Sequence, residues 1–336
     1  MRRRIKRTNE KGKLLLLIAL VAALFIALYL GGRWLDQRGR KPEARGDYVP
    51  GERNARIIEV DGASYRRKPG QTVVLAMGID RETADEVRGF RSGGQADFLR
   101  LFVIDETVGQ VRQIAIDRDT VTPITILGVL GDRAGMRNAQ ISLSHSFGDG
   151  GKMSCELTCE AVSNLLLGTE VDYYLALNID GIVALNDFAG GVTVTLDQDL
   201  TGADPEMAEG AEITLLGRQA EIYVRSRMDV GEGTNVERMG RQEQYIDRLT
   251  EILEENVRGD RDYAGKIFDK LEGTLTTDMS RGRLVNLAWS VRDHERSGVL
   301  TLKGTHQVGA DGFMTFQADR EALTEMVLDV FYEKVD

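Results

Sequence analysis

Cysteine, histidine and proline are scarce in this 336-residue chain, and each shortage removes a class of protein. Two cysteines, Cys155 and Cys159, cannot build a disulfide framework. Three well-separated histidines, His145, His294 and His306, give no zinc spacing and leave a hard-cation site of carboxylates as the open metal option. Five prolines in a chain that is 42% hydrophobic and 29% charged describe globular composition rather than a low-complexity chain. No internal repeat is visible. A basic excess is also missing. The net charge is −10, and residues 1–13 hold seven Lys/Arg against one Glu, so the remainder carries −16. An acidic body excludes a general nucleic-acid binder, whose footprint would be basic.

The basic start MRRRIKRTNEKGK precedes LLLLIALVAALFIALYLGG, residues 14–32, nineteen residues without a charge. At about 1.5 Å per residue such a helix roughly spans a bilayer core. The positive flank predicts a cytoplasmic tail at 1–13, a single transmembrane helix at 14–32 and an extracytoplasmic remainder. A cleaved signal peptide is the alternative, but ALYLGGRW offers no small-residue cleavage pattern. Residues 33–70, charged and holding Pro42 and Pro50, read as a stalk with a short strand at Ile57–Val60.

From residue 71 apolar runs alternate with helical spacing. Strands are predicted at 72–80, 98–105, 111–117, 171–177, 192–197, 298–302 and 313–317, the second and third joined as a hairpin. Helices are predicted at 154–167, 179–188, 236–256, 262–271, 280–291 and 319–333. Residues 218–225 also have helical spacing, with Ala220, Tyr223 and Val224 on one side. The class is α/β, a mixed central sheet flanked by helices, preceded by the transmembrane helix. Cys155 and Cys159 sit one turn apart on the first predicted helix, about 6 Å. Two readings stand: a local disulfide in an oxidising compartment, or two free thiols.

The stretch YVRSRMDVGEGTNVERMGRQ, 223–242, concentrates arginine. If the backbone is extended as it leaves Tyr223, Arg225 and Arg227 point the same way. If a helix starts near Asn235, Arg238, Arg241 and Gln242 share a face at i, i+3 and i+4. Guanidinium groups fork onto phosphate oxygens, so the cluster points to an anion unless it is a solvated basic face with nearby carboxylates. Acidic residues gather at the ends of the first strands: Asp80, Asp97, Asp117 and Asp119, with Arg118 among them. Carboxylates beside arginines suggest Mg²⁺ next to phosphate. Taken singly, each aspartate reads equally as a turn residue.

Seven segments in order resemble the LytR-CpsA-Psr family of cell-envelope proteins. They are LAMGID (75–80), GGQADFLRLFVID (93–105), IAIDRDT (114–120), QISLSHSFGDGG (140–151), VDYYLALNIDGIVALNDFAGGV (171–192), LLGRQAEIYVRSR (215–227) and NVERMGRQ (235–242). The resemblance covers 71–256 within a domain of 71–336, with 257–336 as a looser extension. It implies a membrane-anchored phosphotransferase that moves a glycopolymer, of the teichoic acid or capsular polysaccharide class, from undecaprenyl pyrophosphate to peptidoglycan. It implies Mg²⁺ on Asp80 and Asp97. It assigns pyrophosphate binding to Arg118, Arg225, Arg227 and Arg238, with Arg241 and Gln242 in the same motif. Asp119 is a candidate general base beside Arg118, Arg225 and Arg227 as catalytic groups. The family pattern Arg-Ser-Asp-Thr reads Gln95-Ala96-Asp97-Phe98 here, so an arginine is missing and Arg91 or Arg100 would have to replace it. A lipid pyrophosphatase and a non-catalytic polyprenyl-phosphate-binding surface protein are the alternatives.

Overall fold

The computed structural model describes residues 57–81, 93–128, 130–226, 235–309 and 312–335, with backbone only for 235–239. The predicted transmembrane helix at 14–32 and most of the stalk lie outside these residues. Among the described residues, no helix is long and apolar enough to cross a membrane.

The chain runs β1 (Ile57–Val60), β2 (Ala63–Arg67), β3 (Gln71–Ile79), β4 (Ala96–Asp105), β5 (Gln110–Ala115), β6 (Val121–Leu127) and β7 (Arg133–Gln140). Next come α1 (Leu143–Ser146), α2 (Lys152–Leu165), β8 (Tyr173–Asn178), α3 (Ile179–Phe188), β9 (Val192–Thr195), β10 (Glu212–Leu215), α4 (Arg218–Arg225) and α5 (Asn235–Gly259). It closes with α6 (Tyr263–Lys270), β11 (Leu275–Thr277), α7 (Arg281–Val291), β12 (Glu295–Thr301), β13 (Gly304–Val308), β14 (Met314–Ala318), α8 (Arg320–Phe331) and β15 (Tyr332–Lys334).

Six strands form the central sheet in the order β11-β8-β3-β4-β5-β12. β3 pairs antiparallel with β4 and parallel with β8, so the sheet is mixed, as the alternation of strands and helices predicts. QTVVLAMGI reads as one apolar run because β3 is central and covered on both faces. One face, with Val73, Leu75, Met77, Leu99, Leu101 and Ile114, packs against Val162 and Leu165 of α2 and Val327 and Phe331 of α8. The other, with Val74, Ile104 and Val111, meets Met279 and Leu287. A second core joins β9 and β10 to α4 and α5 through Val192, Val194, Leu215, Tyr223, Tyr245 and Leu249.

Several differences from the sequence reading have physical causes. β6 and β7 make a hairpin outside the central sheet that hydrophobic alternation does not announce. β7, RAGMRNAQ, is largely exposed, and Pro123 in β6 is tolerated because this is a two-stranded ribbon rather than a central strand. The chain is not extended as it leaves Tyr223: α4 continues through Arg225, burying Ala220, Tyr223 and Val224, and only Ser226 turns out of the helix. Residues 57–67, grouped with the stalk on sequence, fold onto the body. β1 forms at Ile57–Val60 as expected, and β2 pairs with both β1 and β15.

Candidate functional site

The site lies where β3 ends and β4 begins. Gly78 pairs with Phe98 and Ile79 with Ala96, so Asp97 is the extra residue of a bulge. Bulges re-aim side chains and recur beside active sites. The Asp80 N–H donates to the Gln95 carbonyl at 2.9 Å, holding the two aspartates at one end of adjacent strands. Gly94 makes this approach possible. Its φ is +73°, and a Cβ there would lie 3.0 Å from the Asp80 carbonyl oxygen.

Arg118 follows β5 and reaches across to this end. Its Nη1 lies 2.5 Å from Asp97 Oδ2, its Nη2 donates to Gln95 Oε1 at 2.5 Å, and its Nε is 3.6 Å from Asp119 Oδ1. Ser142 ties the two backbones together, donating to the Arg118 carbonyl at 3.1 Å and accepting from Ala96 N–H at 3.2 Å. Arg225, the last residue of α4, supplies the second pair. Its Nη2 lies 3.1 Å from Asp80 Oδ1, and its Nη1 is 2.7 Å from Glu221 one turn back. Two aspartate–arginine pairs thus meet around Gln95.

Asp119 is buried behind Arg118. Gln140 Nε2 donates to its Oδ1 at 2.9 Å, and its main-chain carbonyl accepts from Phe316 N–H at 2.8 Å. Burial pushes its carboxyl above the usual range, with Asp117 adding repulsion and Arg118 pulling the other way. Asp117 accepts the Asp119 N–H at 2.8 Å and pairs with His306 Nε2 at 2.8 Å. The β13–β14 hairpin therefore walls one side of the Asp117–Asp119 turn. Nothing in the sequence signals His306 or Gln140 as neighbours of the site, because both contacts depend on tertiary packing.

The remaining predicted residues divide. Arg241 and Gln242 of α5 lie against the end of α4. Arg241 Nε donates to the Tyr223 carbonyl at 2.9 Å, and Gln242 Nε2 to the Val224 carbonyl at 2.9 Å. Arg227 lies outside the described residues, and Arg238 is placed in the first turns of α5 by its backbone alone. Arg91, one candidate to replace the missing arginine, also lies outside them. The other, Arg100, is spent elsewhere: only 2% exposed, it is forked onto Glu243 with Nη2 to Oε2 at 2.5 Å and Nη1 to Oε1 at 3.3 Å.

Asp80 and Asp97 are the residues that could hold a cation. Among the described residues, no group of three or more His, Cys, Asp or Glu gathers as a metal site. Two carboxylates nevertheless fit Mg²⁺, a hard ion that takes one or two carboxylates and completes its shell with water and phosphate oxygens. The disulfide that the spacing of Cys155 and Cys159 allowed is not formed: both thiols are free. Cys155 Sγ turns instead toward α1 and lies 3.9 Å from His145 Nε2, while burial pushes both thiols up, away from thiolate chemistry.

The fold has clear relatives. TagU of Bacillus subtilis, described as a polyisoprenyl-teichoic acid–peptidoglycan teichoic acid transferase, is 24% identical over 263 residues, covering 76% of each chain. The protein gbs0355 of Streptococcus agalactiae has the same fold, with a TM-score of 0.62 at 22% identity over 77% of this chain and 87% of that one. B. subtilis TagV superposes with a TM-score of 0.57 at 20% identity, over 78% and 97% of the two chains. TagT bound to LI-WTA gives 0.58 at 19%, over 85% and 98%. The LytR_cpsA_psr family description matches residues 42–329, nearly all of the folded chain, and the protein belongs to that family.

Proposed function

We propose that this protein is a membrane-anchored phosphotransferase that joins a glycopolymer, carried on a polyprenyl pyrophosphate such as undecaprenyl pyrophosphate, to peptidoglycan. The observation that carries this reading is the meeting of the Asp97–Arg118 and Asp80–Arg225 pairs around Gln95. Phosphoryl transfer depends on positioning and on neutralising charge, and fixed guanidinium groups do both. TagU, named as a teichoic acid–peptidoglycan transferase, supports the same reaction class.

A hydroxyl oxygen of the acceptor attacks the glycan-bearing phosphorus. A new P–O bond forms to peptidoglycan, the bridging P–O bond breaks, and polyprenyl phosphate leaves with the electron pair. Arg118 and Arg225 face the pyrophosphate oxygens on which charge builds. Asp119, with its raised carboxyl beside Arg118, takes the hydroxyl proton. Asp80 and Asp97 would hold Mg²⁺, which when bound supplies further positive charge to the pyrophosphate. The apolar segment 14–32 behind a basic flank supports an anchor that keeps this domain outside the cytoplasm and near a membrane-bound donor.

The test mixes the purified full chain with a polyprenyl-pyrophosphate-linked glycan and peptidoglycan. Transfer is expected with Mg²⁺, is lost on chelation, and falls about 100-fold or more in Arg118→Ala. Transfer untouched by either change defeats the proposal. One observation favours a second reading: Gln95 is neutral where the family pattern carries arginine, which reduces the phosphate-directed charge. Binding of lipid pyrophosphate without turnover would make the protein a surface lipid-binding or regulatory protein. Phosphate release without acceptor would make it a pyrophosphatase.

A further inference from the structure

α4 ends on Arg225, and its last carbonyls need partners. The Ile222 carbonyl accepts the Ser226 N–H at 3.0 Å. α5 supplies partners for the next two, and for Ser226 beyond the helix. Arg241 Nε donates to the Tyr223 carbonyl at 2.9 Å, Arg241 Nη2 donates to the Ser226 carbonyl, and Gln242 Nε2 donates to the Val224 carbonyl at 2.9 Å. The remaining nitrogen, Arg241 Nη1, donates to Gln198 Oε1 in the segment after β9. Arg241 is 3% exposed, so its charge is enclosed against the negative end of the α4 dipole. Every guanidinium nitrogen is aimed at an oxygen of this chain, Nε and Nη2 at carbonyls where α4 ends and Nη1 at Gln198. Arg225 leaves the same helical turn in another direction, toward Asp80.

We infer that Arg241 is a positioning residue that acts through Arg225, fixing the helix end from which Arg225 meets Asp80, and does not itself contact the pyrophosphate. This rests on the proposed transferase reading only for its consequence in turnover; the clamp itself stands on geometry. It separates Arg241 from Arg225 within one arginine-rich motif. A planar fork that spans the Tyr223 and Ser226 carbonyls together cannot be reproduced by the single ammonium of lysine.

The experiment has two arms on the full chain. Hydrogen exchange over residues 218–226 is compared in the native chain, Arg241→Met, Arg241→Lys and Arg225→Ala. Exchange about tenfold faster in both Arg241 variants, with little change in Arg225→Ala, supports the clamp. Unchanged exchange in Arg241→Lys overturns it, and this milder variant decides the matter should Arg241→Met fail to fold. In the second arm, transfer is measured for Arg225→Ala, Arg241→Met and the double variant. A double variant no slower than Arg225→Ala alone shows that Arg241 works through Arg225. Losses that multiply would mean an independent substrate contact and would overturn the inference. Should the native chain carry out no transfer, the reaction assignment fails while the exchange arm still decides the clamp.

Discussion

Arg100 of β4 is forked onto Glu243 of α5, with one N–O distance of 2.5 Å, while its ring-side neighbour Phe98 lies 5.5 Å beneath the guanidinium. Gln113 Oε1 accepts a further bond at 3.4 Å. The pair fastens the helix that carries Arg241 and Gln242 to the central sheet. Removing its acidic half leaves a cation buried in the sheet. Glu243→Ala is therefore expected to lower stability by about 3 kcal/mol, whereas Arg100→Met, which removes the charge and keeps the stem, costs less. Urea melts of the two variants check this, and equal losses would show that burial of the charge is not the deciding factor.

Gln95 holds Arg118 by a neutral acceptor and Asp80 by its main chain. Gln95→Ala keeps the main-chain bond and loses the side-chain one. A hydrogen bond to a charged group contributes about 1.5–3 kcal/mol to stability, so a lower melting temperature is expected together with a donor KM raised about tenfold or more. A drop in stability with KM unchanged would place Gln95 in the scaffold alone.

Asp119 is held above the ordinary carboxylate range mainly by burial. An acid whose folded pKa exceeds its unfolded one binds its proton more tightly when folded. Its contribution to stability is therefore present at low pH and is lost as pH rises through the folded value. Asp119→Asn is expected to raise the melting temperature at neutral pH, with the gain shrinking toward pH 4, and to abolish proton abstraction. Melting curves and transfer rates across pH test both halves; a variant that is less stable at neutral pH would contradict the first.

His145 behaves in the opposite sense. Burial lowers its pKa to about 4, so the folded chain holds a neutral ring bonded through Nδ1 to the Gly94 carbonyl at 3.1 Å. The unfolded chain binds the proton first. Stability is full above about pH 6.5 and falls by up to about 3 kcal/mol as pH drops toward 4. Replacing His145 with glutamine should flatten that slope in acid titrations followed by circular dichroism, and an unaltered slope would assign it to other groups.

Free cysteines, of which Cys155 is buried, imply that a reducing agent leaves the melting temperature unchanged and that thiol reagents react with Cys155 only after denaturation. A lower melting temperature on reduction would show a bridge.

The parts of the fold legible in the sequence are those written in continuous or periodic apolar runs. β3 is read to within a residue because a central strand must be apolar on both faces, and α3 and α4 match their predicted ranges because their buried positions repeat at helical spacing. β7, β13 and β15 escape the reading because exposed or very short strands carry no such run. At the site, Asp80, Asp97 and Arg118 were legible as charged residues at strand ends, and Arg225 as part of an arginine-rich stretch. Their pairing was not, because it depends on the bulge that places Asp97 and on a helix end rather than an extended strand beneath Arg225. Arg241 and Gln242 are legible in the sequence as neighbours on one helical face, but not their contacts with the carbonyls at the end of α4, which depend on how the two helices pack.

One feature of the first strands sets a length scale. β2 pairs with β15, Gln71 at the start of β3 donates to the Val330 carbonyl, and Asp80 lies just past the far end of the same strand. At about 3.3 Å per residue, the nine residues of β3 hold the two aspartates roughly 30 Å from the corner where the chain enters and leaves the domain. If residues 14–32 anchor the chain as proposed, that strand would act as a boom with its working end away from the mooring. In that arrangement the reach of the connecting segment, more than the depth of any cleft, would set how far the aspartates stand from the lipid headgroups.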